Sequence, residues 1–161
     1  SLGCYFAELT EALTAEGEES GELLRHLLNG LYAIENFRRP PELLRAAFEL
    51  RAMSLAGYEP LLEGCAFCGK AEPEEPVLDL GSGVLRCRRC GSGGAGMPLD
   101  ADALAAARHV LYGDPKRLYG FTLGEESLRR LSAAAEAFTL AQLERGFRAL
   151  DYYKSLRGME G

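Results

Sequence analysis

The sequence predicts a mainly α-helical bundle with a small inserted module that carries four cysteines and a short β-hairpin. Apolar residues recur at spacings of three and four through residues 1–57 and again after residue 99, which is typical of amphipathic helices. Between these stretches the helical period disappears, and Gly, Pro and Cys become frequent. We therefore divide the chain into a first helical part (1–60), a cysteine module (61–98) and a second helical part (99–161).

The first helical part is expected to form three antiparallel helices. The first helix ends at Gly17, and Ser20 is placed to cap the second. Pro40 and Pro41 end the second helix and start a third, which stops at Gly57. The second helix has a broad apolar face, which predicts burial against several neighbours. That face comprises Leu23, Leu24, Leu27, Leu28, Leu31, Tyr32 and Ile34.

The cysteine module is expected to contain one hairpin. Two short β-prone runs, residues 77–80 and 84–86, flank a Gly-Ser-Gly turn at 81–83. The glycine-rich stretch 91–96 is interpreted as a flexible exit from the module.

The second helical part is expected to hold two helices. Asp100 is placed to cap the first, which a Gly-Asp-Pro sequence ends. The second is expected to start at Thr122, which has capping-box spacing to Glu125. It should extend to about Leu156, with Gly146 as a candidate break.

The charge balance narrows the classes of function. The 161 residues have a formal net charge of -6, which argues against a surface that grips a nucleic-acid backbone along its whole length. Residues 1–80 carry 15 acidic and 6 basic side chains, whereas residues 81–161 carry 9 and 12. No apolar run approaches the roughly 20 residues of a membrane span, and no secretory signal pattern opens the chain. We therefore expect an intracellular protein without a membrane partner.

Four cysteines form two Cys-x-x-Cys pairs, Cys65 with Cys68 and Cys87 with Cys90. The pairs are separated by 18 residues, a spacing typical of paired zinc knuckles. Four thiolates complete a tetrahedral shell around Zn²⁺ and leave no open position. The sequence therefore predicts one structural zinc ion that does not take part in catalysis.

A redox interpretation of these cysteines stays open. A Cys-x-x-Cys pair can be a redox dithiol, and paired cysteines can form disulfides in an exported protein. Neither pair opens a helix after a strand, which disfavours a thioredoxin-type site. The fifth cysteine, Cys4, lies on the apolar side of the first predicted helix and is expected to be a small core residue.

Basic side chains supply further candidate contacts. Arg86, Arg88 and Arg89 cluster on the second knuckle, as either a solvated tip or a contact for phosphate or an acidic partner. The final helix mixes basic and aromatic residues, as either a solvated face or a basic groove that suits an acidic peptide or a nucleic-acid strand. Its basic members are Arg129, Arg130, Arg145, Arg148, Lys154 and Arg157.

The sequence contains no credible catalytic constellation. The only histidines, His26 and His109, lie in helical stretches without a matching nucleophile or carboxylate signature, and we expect them at helix surfaces or core edges. The Gly-rich segments lack the Lys and the preceding strand of a phosphate-binding loop. We expect a protein that is not an enzyme.

The third predicted helix leads almost directly into the first knuckle: residues 45–60 (RAAFELRAMSLAGYEP) are followed closely by residues 64–69 (GCAFCG). This junction resembles the RecO family of bacterial DNA repair and recombination mediators. In that family a helix ending in Leu-x-Gly-Tyr/Phe-x-Pro leads into a Cys-x-x-Cys zinc knuckle in the same way. The order of the remaining parts is similar along essentially the whole chain.

The resemblance implies a non-enzymatic role in the bacterial cytoplasm, at the nucleoid. RecO proteins bind single- and double-stranded DNA, anneal complementary strands, work with RecR, engage the acidic tail of the single-stranded DNA-binding protein and help to load RecA. The four cysteines carry over as zinc ligands. For the tail contact we nominate the basic residues Arg45, Arg51, Arg129 and Arg130.

One departure from the family pattern affects this expectation. RecO proteins begin with an oligonucleotide-binding barrel, whereas this chain starts inside the helix that follows it. The chain is therefore expected to be either a fragment or a version without the barrel. Two functions from other classes also remain as alternatives: a thiol-disulfide oxidoreductase that uses one Cys-x-x-Cys pair, and a structural zinc-ribbon adaptor of another repair or transcription complex.

Overall fold

The computed structural model describes residues 1–14, 21–91, 95–143 and 154–156, and in these ranges a small sheet lies beside a body of helices. The elements are α1 (Leu2–Thr14), α2 (Gly21–Asn36), α3 (Pro41–Leu55), β1 (Pro76–Asp79), β2 (Leu85–Cys87), β3 (Gly96–Pro98), α4 (Ala101–Tyr112), a 3-10 turn (Pro115–Arg117) and α5 (Glu125–Leu143). The predicted mainly α fold with a hairpin and a cysteine cluster is confirmed. None of the helices in these ranges is long and apolar enough to cross a membrane.

Helix α3 forms the centre of the body and packs against α1, α2, α4 and α5. Its Phe48 ring stacks on Phe6 of α1, with ring centroids 3.8 Å apart, and on His26 of α2 at 4.3 Å. Gly30 makes this close approach of α2 and α3 feasible, because a Cβ there would lie 2.8 Å from Phe48 Cδ2. The packing therefore explains a glycine that costs an isolated helix about 1 kcal/mol relative to alanine.

Two expectations about the first helices are wrong. Cys4 is exposed, because α1 turns a different face to the core. That face comprises Leu2, Tyr5, Phe6, Leu9 and Leu13. The broad apolar face of α2 is also only partly buried, since α2 packs mainly against α1 and α3. Leu24 and Leu28 are 52% and 58% exposed, whereas Leu23, on the same helix, is buried.

The sheet is antiparallel, with β1 between β2 and β3. The predicted hairpin joins β1 to β2, and the Asp79 carboxylate accepts a hydrogen bond from the Ser82 amide at 3.0 Å inside the turn. Gly83 has a φ of 68°, which favours glycine at that position.

Strand β3 begins at Gly96, where the sequence predicts only the end of a flexible linker. Glycine and proline are poor strand formers, and Pro98 is tolerated here because β3 lies at the edge of the sheet. A Cβ at Gly96 would lie 2.6 Å from Val77 Cγ1, so glycine also lets the two strands approach.

The helix ends of the second part agree with the sequence in one case and differ in another. The Asp100 side chain caps α4 by accepting a hydrogen bond from the Ala103 amide at 2.8 Å, as expected. Helix α5 begins at Glu125, three residues later than the capping box at Thr122 suggests, and its first carbonyl acceptor is Gly124. The candidate break at Gly146 lies outside the described residues.

The hairpin is docked on α5. Leu78 and Leu85 belong to the same apolar core as the helices. Gln142 of α5 donates a hydrogen bond to the Leu80 carbonyl at 2.7 Å, and a Cβ at Gly83 would lie 3.2 Å from the ring of Phe138. These contacts fix the position of the cysteine module on the helical body.

Candidate metal centre and basic groove

The structure brings the four paired cysteines together. The Sγ atoms of Cys65, Cys68, Cys87 and Cys90 all lie within 4.8 Å of one another, and those of Cys68 and Cys87 are 3.7 Å apart. Tetrahedral zinc with Zn–S bonds of about 2.3 Å requires S···S distances of about 3.8 Å. The donor set and its spacing therefore fit a tetrahedral metal ion, and 3.7 Å is too long for a disulfide bond.

The protonation states of the thiols also favour a cation. Although burial opposes ionisation of Cys65, the amides of Cys68, Cys87 and Phe67 lower its pKa to about 6. Burial and the neighbouring thiols raise the pKa of Cys87 to about 12. Without a positive charge nearby, ionisation of one thiol therefore opposes ionisation of the next. A divalent cation would remove this repulsion between thiolates.

Two glycines follow the cysteine pairs for different reasons. Gly69 has a φ of 78°, and its amide donates to the Cys65 carbonyl at 2.9 Å, which closes the first knuckle turn. Gly91 makes room for an arginine, because a Cβ there would lie 2.2 Å from Arg86 Cδ. The second glycine therefore serves packing against Arg86.

Helix α4 anchors the segments that lead into and out of the first knuckle. Arg108 donates to the carbonyls of Leu62 and Ala71, both at 2.8 Å, and pairs with Glu72 at 2.6 Å. Tyr112, one turn later, accepts a hydrogen bond from the Leu62 amide at 3.0 Å. The module is thus held from two sides, by α4 and by α5.

The three arginines nominated on the second knuckle differ in their surroundings. Arg86 is buried, and its guanidinium faces the Asp79 carboxylate at 3.6 Å. Arg88 is exposed and pairs with Glu75 at 3.4 Å, and Arg89 is exposed. Arg88 and Arg89 are therefore accessible to a ligand, and Arg86 is occupied by packing within the module.

The arginines nominated on the helices do not converge. Arg45 is buried and donates to Glu49 at 2.7 Å and to the Ser132 hydroxyl. Arg129 and Arg130 lie at the start of α5, where both pair with Glu126. Lys154 donates to Glu136 of α5 at 2.7 Å. Arg145, Arg148 and Arg157 lie outside the described residues.

A basic groove instead lies between α2, the α2–α3 connection, the end of α3 and residues 115–120, with a volume of about 1000 Å³. Of the nominated residues, only Arg51 lines it. Its cationic side chains are Arg25, Arg38, Arg39, Arg51, Lys116 and Arg117. Among the described residues, Glu22 is the only acidic one in the lining, so the groove favours an anion.

Aromatic side chains line the same groove. Phe37 is 44% exposed, and its ring lies 5.8 Å from that of Tyr32 and 6.3 Å from that of Tyr119. Tyr119 is 6% exposed, and its hydroxyl has no hydrogen-bond partner within the described part of the chain. Burial raises the pKa of Tyr119, so the phenol remains a neutral donor. The groove thus combines positive charge with an apolar wall.

Sequence reasoning missed this groove because its walls come from separate segments. The signal available was two basic pairs beside prolines, Arg38 and Arg39 before Pro40, and Lys116 and Arg117 after Pro115. Both pairs lie in loops between helices, and ligand-binding residues occur more often in loops than in the middle of helices. Only the packing of residues 115–120 against α2 and α3 joins them.

The fold and these two sites define a helical domain that carries a four-cysteine module and a basic groove. Residues 1–151 match the family model described as Recombination protein O C terminal. The chain belongs to the RecO family and corresponds to its C-terminal region.

Three curated relatives carry the same family name, DNA repair protein RecO. The protein from Symbiobacterium thermophilum is 32% identical over 95% of this chain, that from Frankia casuarinae 34% over 90%, and that from Acetivibrio thermocellus 23% over 97%. The aligned part covers 62%, 58% and 62% of these relatives, so the chain spans about six-tenths of their length.

Proposed function

We propose that this chain is the partner- and DNA-binding C-terminal region of a bacterial DNA repair and recombination mediator, without catalytic activity. The observation that carries the proposal is the family match over residues 1–151. On this proposal the region works in the cytoplasm with RecR, with the tail of the single-stranded DNA-binding protein and with single- and double-stranded DNA. It contributes to strand annealing and, indirectly, to RecA loading.

The proposal assigns one structural zinc ion to Cys65, Cys68, Cys87 and Cys90, in a module of residues 61–98. The S···S spacing described above supports the assignment. A complete Cys4 shell leaves no coordination position for water or substrate, so the metal would stabilise the knuckles without chemistry of its own.

Metal analysis separates this proposal from the oxidoreductase alternative. About one zinc per chain, with thiols protected from alkylation, is expected in protein purified under reducing conditions. Protein without zinc that contains a reversible, low-pKa dithiol would support the redox alternative. An adaptor of an unrelated complex would fail to co-elute with purified RecR in gel filtration.

The basic groove is proposed as the contact for the acidic tail. A tail that ends in Phe offers carboxylates to the six cations and an aromatic ring to Phe37 and Tyr32. A volume of about 1000 Å³ suits the last few residues of a chain rather than a folded domain.

Titration calorimetry with a synthetic acidic peptide ending in Phe tests this contact. Arg117→Glu places a repelling charge in the groove and should weaken binding by about tenfold, since charge pairs of this kind contribute roughly 1–2 kcal/mol. The affinity of the unchanged protein should fall steeply as salt is added.

Arg129→Glu is the matched control, because Arg129 is exposed and lies on α5 outside the groove. It should leave peptide affinity within about twofold of the unchanged protein. Absence of binding at low salt would refute the tail-binding role of this region. If Arg129→Glu weakened peptide binding and Arg117→Glu did not, the contact would lie on α5 instead.

A further inference from the structure

We propose that Phe67, Arg88 and Arg89, here called the knuckle tip, bind single-stranded DNA, with Phe67 stacking on a base and the two arginines contacting phosphates. The inference rests on the proposed role in DNA binding. It adds to that role a binding site and a preference for single strands. The knuckle tip is separate from the groove proposed for the acidic tail.

The two knuckles bring the members of the tip together. Phe67 directly precedes Cys68, and Arg88 directly follows Cys87. The Sγ atoms of those two cysteines are 3.7 Å apart, so the residues beside them lie on neighbouring turns. Phe67 is 62% exposed although its turn is closed by hydrogen bonds to Cys65. An aromatic ring is therefore presented to solvent on a hydrogen-bonded turn.

The charges around the tip leave its arginines accessible. The nearby acidic loop is largely matched by other cations, since Glu72 pairs with Arg108 at 2.6 Å and Glu74 with Lys70 at 3.7 Å. Glu75 pairs with Arg88 at 3.4 Å, but both side chains are more than two-thirds exposed, at 68% and 73%. Exposed pairs of this kind contribute little, so a phosphate can replace the carboxylate.

Because Glu75 pairs with Arg88, Arg89 remains as the second positive charge of the tip. It is exposed and forms no ion pair with any residue in the described ranges. A phosphate that reached Arg89 would therefore not have to displace a carboxylate, and Arg88 lies next to it in the chain.

The chemistry of the tip favours single strands over duplex. Bases in a duplex are stacked on each other, so the face of Phe67 can meet only a base that is already unstacked. Two arginines beside one aromatic ring match the alternation of phosphate and base along a single strand. The tip spans few groups, and binding through it should be weak and sensitive to salt.

Fluorescence anisotropy with labelled oligo-dT and a matched duplex tests the inference on zinc-loaded protein. Phe67→Ala should weaken binding of the single strand by about tenfold, the loss expected when one base loses its aromatic partner. Affinity for duplex should stay unchanged. Arg89→Ala should reduce the slope of log K against log salt by about 0.7, the value for one phosphate contact on a single strand.

Leu61→Ala is the matched control, because Leu61 is also 62% exposed and lies in the same module. It should leave both affinities unchanged, and zinc content should confirm that each variant is folded. Equal affinity of the Phe67→Ala variant for oligo-dT would overturn the inference, as would an equal loss for duplex. A loss of acidic-peptide binding in that variant, with DNA binding intact, would assign the tip to a protein partner instead.

These outcomes are separable from a failure of the proposed function. The peptide titration and the RecR co-elution depend on other surfaces and are read independently. If the unchanged protein binds oligo-dT and the Phe67→Ala variant binds it equally well, the knuckle-tip inference alone fails. If the unchanged protein binds no oligo-dT at low salt, the single-stranded DNA part of the proposed function fails with it, whereas the tail-binding and RecR roles are decided by their own assays.

Discussion

Arg45, which the sequence suggests as a partner contact, belongs to a buried polar network. The Tyr5 hydroxyl donates to Glu49 at 2.5 Å, and Arg45 donates to the other carboxylate oxygen at 2.7 Å. Burial raises the pKa of Glu49 to about 7, although Arg45 and Tyr5 oppose that shift. Arg45 is thus required to compensate a carboxylate in the core, and removing it would leave a buried charge unpaired.

His26 provides a test of stability at the residue scale. It is buried, it stacks on Phe48, and its Nε2 lies 3.0 Å from the Phe48 carbonyl, so this nitrogen carries the proton that it donates. Burial lowers the pKa of His26 to about 4. Because the unfolded state binds a proton more readily, the folded state loses stability as pH falls from the unfolded pKa of about 6.5 towards 4.

We predict that His26→Gln flattens this pH dependence. Between pH 7.5 and 5.5 the histidine should cost the folded state about 1 kcal/mol, and the variant should not show that loss. Urea unfolding of both proteins at the two pH values measures it. Glu49 acts in the opposite direction over this window, because its pKa is raised on folding, so the comparison between proteins is the informative quantity. Identical pH dependence in both proteins would rule out the neutral buried histidine.

At the scale of elements, α4 is the support of the cysteine module. A single guanidinium, that of Arg108, contacts three acceptors on the segments that enter and leave the first knuckle. The Tyr112 hydroxyl adds a fourth contact one turn later. The orientation of the knuckles relative to the helices therefore depends on one face of α4 and on the α5 contacts of the hairpin.

We predict that Arg108→Ala loosens this junction without unfolding the helices. Hydrogen bonds to charged groups contribute about 1.5–3 kcal/mol to stability, and less when the side chain is partly exposed, as that of Arg108 is. We therefore expect roughly tenfold faster hydrogen exchange of residues 61–72 in the variant. Mass spectrometry of the exchanging peptides measures it. Arg129→Ala should leave the same peptides unchanged. Exchange that accelerated equally in α3 would indicate global destabilisation and contradict the local role.

At the scale of the whole molecule, the hairpin and the knuckles depend on different interactions. Leu78 and Leu85 of the hairpin belong to the main core, whereas Cys68 and Phe67 at the knuckle are exposed. The knuckles have few apolar contacts to hold them, so they need another source of stability such as a metal. The helical body does not share that need.

We predict that Cys87→Ser abolishes zinc binding and disorders the knuckles while most of the helical signal in circular dichroism persists. Zinc content and the signal at 222 nm are measured together. Cys4→Ser is the control, because Cys4 is exposed and lies on α1 outside the cluster, and it should change neither quantity. Loss of all helicity in the Cys87 variant would mean that the metal centre supports the body as well.

The sequence alone determined the features that depend on neighbours along the chain. The two Cys-x-x-Cys pairs, the Gly-Ser-Gly turn and the Asp100 cap are each defined within a few residues, so local spacing identifies them. The tertiary structure decided what depends on distant segments. It exposed Cys4, buried Arg45 and Arg86, and joined Arg51 to residues 115–120 in one groove. An arginine pattern is the same whether the side chain faces water or a carboxylate, and only packing between remote elements distinguishes the two.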